Sequence, residues 1–127
     1  CMDGYNWGTN SAKPDKWKSF SKVFGETYAK LRKIEPDKPI MIGEVSATEV
    51  GGSKADWIGK MLEEELPNDF PEVKAFVWFN WNTDGMDWAI ESSQSAQEAF
   101  ARGIAAPYYS GAEFGDIDRS PIRPPGP

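Results

Sequence analysis

The sequence contains no histidine and only one cysteine, Cys1, among its 127 residues. Without histidine, the chain cannot supply a serine–histidine–aspartate triad or a histidine-ligated metal site. A single cysteine permits no internal disulfide. The glycine-rich phosphate-binding motifs of nucleotide-binding proteins are also missing. We therefore expect neither a metal nor a cofactor in this chain.

Basic clusters and long apolar runs are missing as well. The formal net charge is −6, which argues against nucleic acid and against an anionic membrane surface as partners. No apolar run approaches the length of a membrane-spanning helix. The chain opens at Cys1 in what looks like the middle of a strand, without an initiator methionine or a signal peptide, so we expect a piece of a larger protein.

Aromatic residues, by contrast, are abundant. They make up 13% of the chain and include six tryptophans. Several lie near predicted strand ends rather than within helices. They either fill the core or form platforms on which sugar rings stack, and composition alone leaves both interpretations open.

The stretch from Pro39 to Ala47 is a short apolar run that contains a carboxylate. Its large apolar residues are typical of a strand that is buried on both faces, as in a parallel sheet. Glu44 would lie at the carboxyl end of this strand, where barrel enzymes carry their reacting groups. We predict a catalytic carboxylate; the alternative is a glutamate that simply leaves the core as the strand enters solvent. Glu49, five residues further on, is predicted to be a solvated loop residue.

Hydrophobic periodicity predicts three strand–helix units. The predicted strands run over about 1–7, 40–45 and 73–81, and the predicted helices over about 15–34, 54–66 and 96–104. The predicted helix caps are Asp15, Ser53 and Ser95, and Pro67 is predicted to end the second helix.

This order predicts an α/β fold with a parallel sheet and right-handed crossovers. Residues 1–107 would form a (βα)3 unit, and residues 108–127 a Gly/Pro-rich tail or linker. Three units are under half of a (β/α)8 barrel, which needs roughly 250 residues. An open three-stranded sheet is the alternative, although its apolar edges would be prone to association.

Three motifs occur in a characteristic order: Asp3-Gly4-Tyr5-Asn6-Trp7-Gly8, then Ile42-Gly43-Glu44 with Gly51-Gly52-Ser53-Lys54-Ala55-Asp56-Trp57-Ile58, then Val77-Trp78-Phe79-Asn80. Together they resemble the C-terminal part of glycoside hydrolase family 26, in clan A. That family contains endo-β-mannanases and relatives that act on mixed-linkage β-glucan and β-xylan. The resemblance implies a partial (β/α)8 TIM barrel, with the three strands matching strands six, seven and eight.

The resemblance also implies roles for individual residues. Glu44 matches the catalytic nucleophile at the end of strand seven, and Tyr5 matches the tyrosine that hydrogen-bonds and orients it. The substrate-binding candidates fall into two pairs. Trp78 and Trp81 are alternatives for the aromatic residue that forms the floor of the subsite beside the cleaved bond. Trp7 and Asn6 would line the cleft. The family's acid/base glutamate ends strand four, which has no counterpart here, so we expect this fragment alone to be inactive.

The resulting prediction is the C-terminal fragment of a secreted, retaining endo-β-1,4-glycanase. A β-mannanase that hydrolyses plant-type polysaccharide by double displacement is preferred. The alternatives are a mixed-linkage β-glucanase or xylanase of the same clan, and a non-catalytic carbohydrate-binding fragment. Expected partners are a β-linked polysaccharide or oligosaccharide, and the missing N-terminal barrel half or a second copy. Secretion is expected because such polysaccharides are extracellular.

Overall fold

The computed structural model describes residues 1–9 and 16–109. Strands β1 (Met2–Asn6), β2 (Ile40–Ala47) and β3 (Val73–Trp78) form one parallel sheet in the order β1-β2-β3. The helices are α1 (Phe20–Ile34), α2 (Lys54–Lys60), α3 (Leu66–Asp69) and α4 (Gln94–Ile104). A π-helical turn (Met61–Glu65) joins α2 to α3, and a 3-10 turn (Ile90–Ser92) precedes α4. The predicted α/β class and parallel sheet are confirmed.

One face of the sheet packs against the helices. Gly4 of β1 lies so close to α1 that a Cβ there would be 2.7 Å from Val23 Cγ1. Further along this face, the Trp78 ring of β3 lies 6.2 Å from the Trp57 ring of α2 and 5.7 Å from the Phe100 ring of α4. The hydrophobic core therefore lies between the sheet and the helices.

An extra residue in β2 changes which way its side chains point. Met2 of β1 pairs with Ile42, but Asp3 pairs with Glu44, so Gly43 is an additional residue of β2 relative to β1. A β-bulge of this kind interrupts the alternation of side chains between the two faces of a sheet.

The bulge decides the orientation of Glu44. Strict alternation from Ile40 and Ile42 would turn Glu44 toward the helices. Instead Val45 takes the next buried position on the helix side, and Glu44 points to the opposite face. We call that opposite face, which also carries Tyr5, Met41 and Val77, the open face.

The first predicted helix begins later than expected. It starts at Phe20, and the Ser19 side chain caps it by accepting a hydrogen bond from the backbone N–H of Lys22 at 3.2 Å. The predicted cap, Asp15, lies outside the described residues.

The second predicted helix begins as expected, but the prediction that Pro67 ends it was wrong. Ser53 caps α2 by accepting from the backbone N–H of Asp56 at 3.1 Å. The chain then remains helical through the π-helical turn and as far as Asp69. Pro67 has no N–H to donate to the preceding turn, and Leu62 O, the carbonyl that a π-helical hydrogen bond from residue 67 would reach, accepts instead from the Tyr109 hydroxyl at 2.7 Å.

The third predicted helix begins two residues earlier than expected, at Gln94, because its cap is Ser93 rather than Ser95. The Ser93 hydroxyl accepts from the backbone N–H of Ala96 at 3.2 Å. Beyond α4, Tyr109 still packs on the core, with its ring 6.1 Å from that of Phe76 and its hydroxyl donating to Leu62 O at 2.7 Å. The rest of the predicted tail, residues 110–127, lies outside the described residues. Within the described residues, no helix has both the length and the apolar character needed to cross a bilayer.

Candidate active site at the carboxyl end of the sheet

Tyr5 and Glu44 meet on the open face. The Tyr5 hydroxyl donates a hydrogen bond to Glu44 Oε2. Tyr5 pairs with Ser46, two residues beyond Glu44, so its side chain contacts the diagonal neighbour across the strand pair. The resemblance to family 26 implied this hydrogen bond between Tyr5 and Glu44. β2 continues past Glu44 to Ala47, so the carboxylate lies inside the strand and not at its last residue.

The environment of Tyr5 keeps its hydroxyl protonated. Burial raises the pKa of Tyr5 above its ordinary value of 10.0, and the hydrogen bond to Glu44 and the charges of Glu44 and Asp3 raise it further. Tyr5, which is protonated at neutral pH even at its ordinary pKa, therefore remains a hydrogen-bond donor into the alkaline range. Asp3, whose register position faces Glu44 across the two strands, is the second carboxylate close to this pair.

Aromatic rings surround Tyr5. The ring of Trp88 lies 5.1 Å from that of Tyr5, and the rings of Phe79 and Trp7 lie 5.7 Å and 6.0 Å away. Trp7 and Trp88 also contact each other edge to face at 4.8 Å. Such contacts fix the plane of the tyrosine ring and the direction of its hydroxyl. Sequence analysis missed Trp88, because nothing in its local sequence separates it from the other tryptophans.

The segment between β3 and α4, residues 79–93, brings Trp88 to the site; we call it the β3–α4 loop. It contains a tight turn at Asp84 and Gly85, whose φ angles are 56° and 70°. Both values are positive, as in the turns that reverse hairpins, and they suit an Asp-Gly pair. Two asparagines hold the returning chain: Asn82 Oδ1 accepts from Ala89 N at 2.9 Å, and Asn80 Oδ1 accepts from Ile90 N at 2.6 Å.

A buried lysine anchors the same loop. The side chain of Lys54, at the start of α2, is 0% exposed. Its ammonium donates to Asp87 O and Ala89 O at 2.6 Å each, and to Ser92 Oγ at 3.0 Å. Burial lowers the pKa of Lys54, while the negative charges of Asp87, Glu49 and Glu91 act in the opposite direction.

Glu49 was predicted to be a solvated loop residue, and that prediction was wrong. Its Oε1 accepts hydrogen bonds from the hydroxyls of Ser93 at 2.6 Å and Ser92 at 3.1 Å. Its Oε2 accepts from the backbone N–H of Lys54 at 3.3 Å. Its own backbone N–H donates to the Asp87 carboxylate at 3.1 Å. Glu49 therefore ties the loop after β2 to the loop after β3.

The remaining predicted site residues fall into two groups. Trp7 lies with Tyr5 in the aromatic cluster, and Trp81, beyond the end of β3, is 71% exposed. Trp78 is 8% exposed and faces the helices. Asn6 is buried on the same helix side, where its Oδ1 accepts from the backbone N–H groups of Gly8 at 3.2 Å and Lys18 at 3.1 Å. Trp78 and Asn6 thus lie on the face of the sheet opposite to Glu44.

Glu44 and Tyr5 together present an oriented carboxylate beside aromatic surfaces. Such a carboxylate can attack an electrophilic carbon or accept a proton, and the aromatic faces suit the C–H faces of sugars. Among the described residues, no group of three or more histidine, cysteine, aspartate or glutamate side chains is arranged to hold a metal ion.

No profile of a known protein family matches the chain. The chain is similar to Endoglucanase H of Acetivibrio thermocellus, a glycoside hydrolase, with 40% identity over 105 residues. The match covers 83% of this chain but only 11% of that relative, so the chain spans a small part of the length of the protein it resembles.

Proposed function

We propose that this chain is part of a retaining glycoside hydrolase that cleaves β-linked polysaccharide, with Glu44 as its nucleophile. The observation that carries the proposal is the hydrogen bond from the Tyr5 hydroxyl to Glu44 on the open face. The similarity to an endoglucanase supports the same class of reaction. The family 26 resemblance of the sequence agrees with both.

The proposed reaction is a double displacement. The ionised Glu44 carboxylate attacks the anomeric carbon and forms a glycosyl-enzyme, which water then hydrolyses. The Tyr5 hydroxyl orients the attacking oxygens through its hydrogen bond to Glu44. A second carboxyl group, which in retaining enzymes lies about 5–5.5 Å from the first, must protonate the leaving oxygen and later activate water. We propose that the rest of the parent protein supplies it, so that the 127 residues alone are inactive.

The named relative favours β-glucan as the first substrate to test, whereas the family resemblance favours mannan. Endo-acting β-1,4-glycanase activity covers both, with xylan as a further alternative. For contact with the sugar we propose Trp7, which packs on Tyr5, and the exposed Trp81, rather than Asn6 and Trp78, which face the helices. Because such substrates are extracellular polymers, we propose that the parent protein is secreted.

The open face supports the assignment to a partial (β/α)8 barrel. Met41 is 42% exposed and Val77 is 48% exposed, although both are large apolar residues within strands of the sheet. In a barrel, this face would be the interior, and side chains from the other strands would cover it. The three strands would then correspond to strands six, seven and eight, and the partner that covers them would be the N-terminal half of the barrel.

The test is to replace Glu44 with Gln in the parent protein and to measure turnover on β-glucan, mannan and xylan. Glu44→Gln keeps the side-chain shape and removes the charge, so turnover should fall by about three or more orders of magnitude with little change in folding. Glu64→Gln, at an exposed glutamate of the π-helical turn, is the matched control and should retain activity. Near-normal turnover of Glu44→Gln on every substrate would overturn the assignment of the nucleophile.

A non-catalytic carbohydrate-binding fragment is the second candidate, favoured by the exposed ring of Trp81. Binding by stacking requires no ionised carboxylate. A parent protein that binds polysaccharide without hydrolysing it, and binds equally well as Glu44→Gln, would support this candidate instead.

A further inference from the structure

Three consecutive backbone carbonyls of the β3–α4 loop accept hydrogen bonds from side chains. The oxygens of Asp87 and Ala89 both accept from the Lys54 ammonium at 2.6 Å. The oxygen between them, that of Trp88, accepts from Ser46 Oγ at 2.9 Å and from Trp78 Nε1 at 2.9 Å. The backbone of Trp88 is therefore held on both sides by one lysine and in the middle by the sheet.

The position of the Trp88 backbone decides where its ring lies. That ring contacts Tyr5 at 5.1 Å and Trp7 at 4.8 Å, and Tyr5 in turn donates to Glu44. A continuous series of contacts thus runs from Lys54, through the loop and the Trp88 ring, to the Tyr5 hydroxyl.

A buried lysine is energetically unfavourable compared with an apolar side chain of the same size. Burying an ammonium is strongly unfavourable unless every N–H finds an acceptor. The Lys54 ammonium has three N–H groups, and each has an acceptor in the loop. Its Nζ also lies 5.8 Å from the centre of the Trp78 ring. An apolar side chain could fill the volume but could not hold two carbonyls that point inward. The hydrogen bonds, and not the bulk, are what this position requires.

We infer that Lys54 is a positioning residue for the candidate active site. By fixing the carbonyls on either side of Trp88, Lys54 positions the Trp88 ring. That ring packs on Tyr5 and keeps the Tyr5 hydroxyl directed at Glu44. The inference rests on the proposed function, since it assigns to Lys54 an effect on the reaction that Glu44 performs. Lys54 does not contact the reacting atoms and acts only through Trp88 and Tyr5.

The experiment compares Lys54→Met with Lys60→Met in the parent protein. Both lysines belong to α2, but Lys60 is exposed, so the second variant controls for the loss of a charge and the gain of a methionine. Lys54→Met should lower kcat by about tenfold to a hundredfold, with a smaller change in KM, because a misplacement of about 1 Å is enough for such a loss. Lys60→Met should leave kcat unchanged.

A double-mutant cycle separates positioning from stability. If Lys54 acts through Tyr5, then Lys54→Met combined with Tyr5→Phe should lose much less than the product of the two single losses. A residue that only stabilises the fold would give multiplicative losses, or none below the unfolding temperature. Multiplicative losses, or an unchanged kcat in folded Lys54→Met, would overturn the inference.

Fluorine NMR of fluorotryptophan-labelled parent protein gives a second readout that needs no substrate. The Trp88 resonance, assigned by its disappearance in Trp88→Phe, should move in Lys54→Met and stay in place in Lys60→Met. If the parent protein hydrolyses no β-glycan, the proposed function fails, and this resonance still decides whether Lys54 positions Trp88. An unmoved resonance overturns the inference even if the enzyme is active.

Lys54→Met can fail to fold, and Ser92→Ala then takes its place. This change removes one of the three acceptors of the ammonium and leaves the lysine buried. It should move the Trp88 resonance and lower kcat in the same direction by a smaller factor. If Ser92→Ala changes neither quantity, the inference is wrong.

Discussion

At the scale of single residues, the site depends on the hydrogen bond between Tyr5 and Glu44. A tyrosine hydroxyl already carries its proton at neutral pH, and burial and the neighbouring carboxylates raise the pKa of Tyr5 further. Glu44 accepts that hydrogen bond. A donor held by Trp7, Phe79 and Trp88 costs little to orient, since its ring is already fixed.

Tyr5→Phe should weaken the reaction without unfolding the protein, because the ring contacts remain and only the donor is lost. The hydroxyl orients the Glu44 carboxylate, so its removal should lower kcat with a smaller change in KM. The measurement is kcat and KM in the parent protein. Tyr108→Phe, at an exposed tyrosine, is the control. An unchanged kcat in folded Tyr5→Phe would contradict the assigned role of Tyr5.

At the scale of secondary-structure elements, close packing between β1 and α1 holds Tyr5 in position. Gly4, the residue before Tyr5, faces α1, and a Cβ on Gly4 would come within 2.8 Å of the Phe24 ring and closer still to Val23. Both of these neighbours are packed in or against the core, so they have little room to give way. The strand that carries Tyr5 can lie this close to the helix only because Gly4 has no side chain.

Gly4→Ala should therefore destabilise the protein by about 1–3 kcal/mol, through overpacking against α1. Gly25→Ala is a matched change within α1, where an added Cβ would meet nothing within 4 Å. It should instead stabilise by about 0.5–1 kcal/mol through better helix propensity. Urea unfolding of both variants in the parent protein measures the difference, and equal stabilities would contradict the packing described for β1 and α1.

The local patterns of the sequence were enough to predict the strands and the parallel sheet, and the family resemblance implied the contact of Tyr5 with Glu44. They were not enough to predict the bulge at Gly43, because register depends on pairing with both neighbouring strands. The buried Lys54 and the partly buried Glu49 were missed for a related reason. Their sequence surroundings are those of a solvated helix start and loop, and only the return of the β3–α4 loop buries them.

At the scale of the whole molecule, the described residues leave two kinds of surface uncovered. One is the open face of the sheet, and the other is the pair of outer edges of β1 and β3. Exposed apolar side chains on a sheet face and free strand edges both favour association. They agree with the proposal that this chain completes its barrel with the rest of the parent protein.

The isolated 127-residue chain should therefore not behave as a stable monomer. We expect it to dimerise, to aggregate or to bind the remaining part of the barrel when the two are co-expressed, because each outcome covers the open face. Sedimentation velocity over a range of concentrations tests this expectation. A monomeric species with a sharp, concentration-independent unfolding transition would contradict the assignment to a partial barrel.

The central claim, that Glu44 is the nucleophile of a retaining glycosidase, is tested most directly by trapping the glycosyl-enzyme. An activated fluorosugar substrate forms this intermediate in retaining enzymes but releases it slowly, so that mass spectrometry of the digested protein can locate the attached sugar. We predict that the parent enzyme gains the mass of the sugar on the peptide that contains Glu44, and that the Glu44→Gln variant gains none. A label on a different carboxylate, with Glu44 unmodified, would contradict the account.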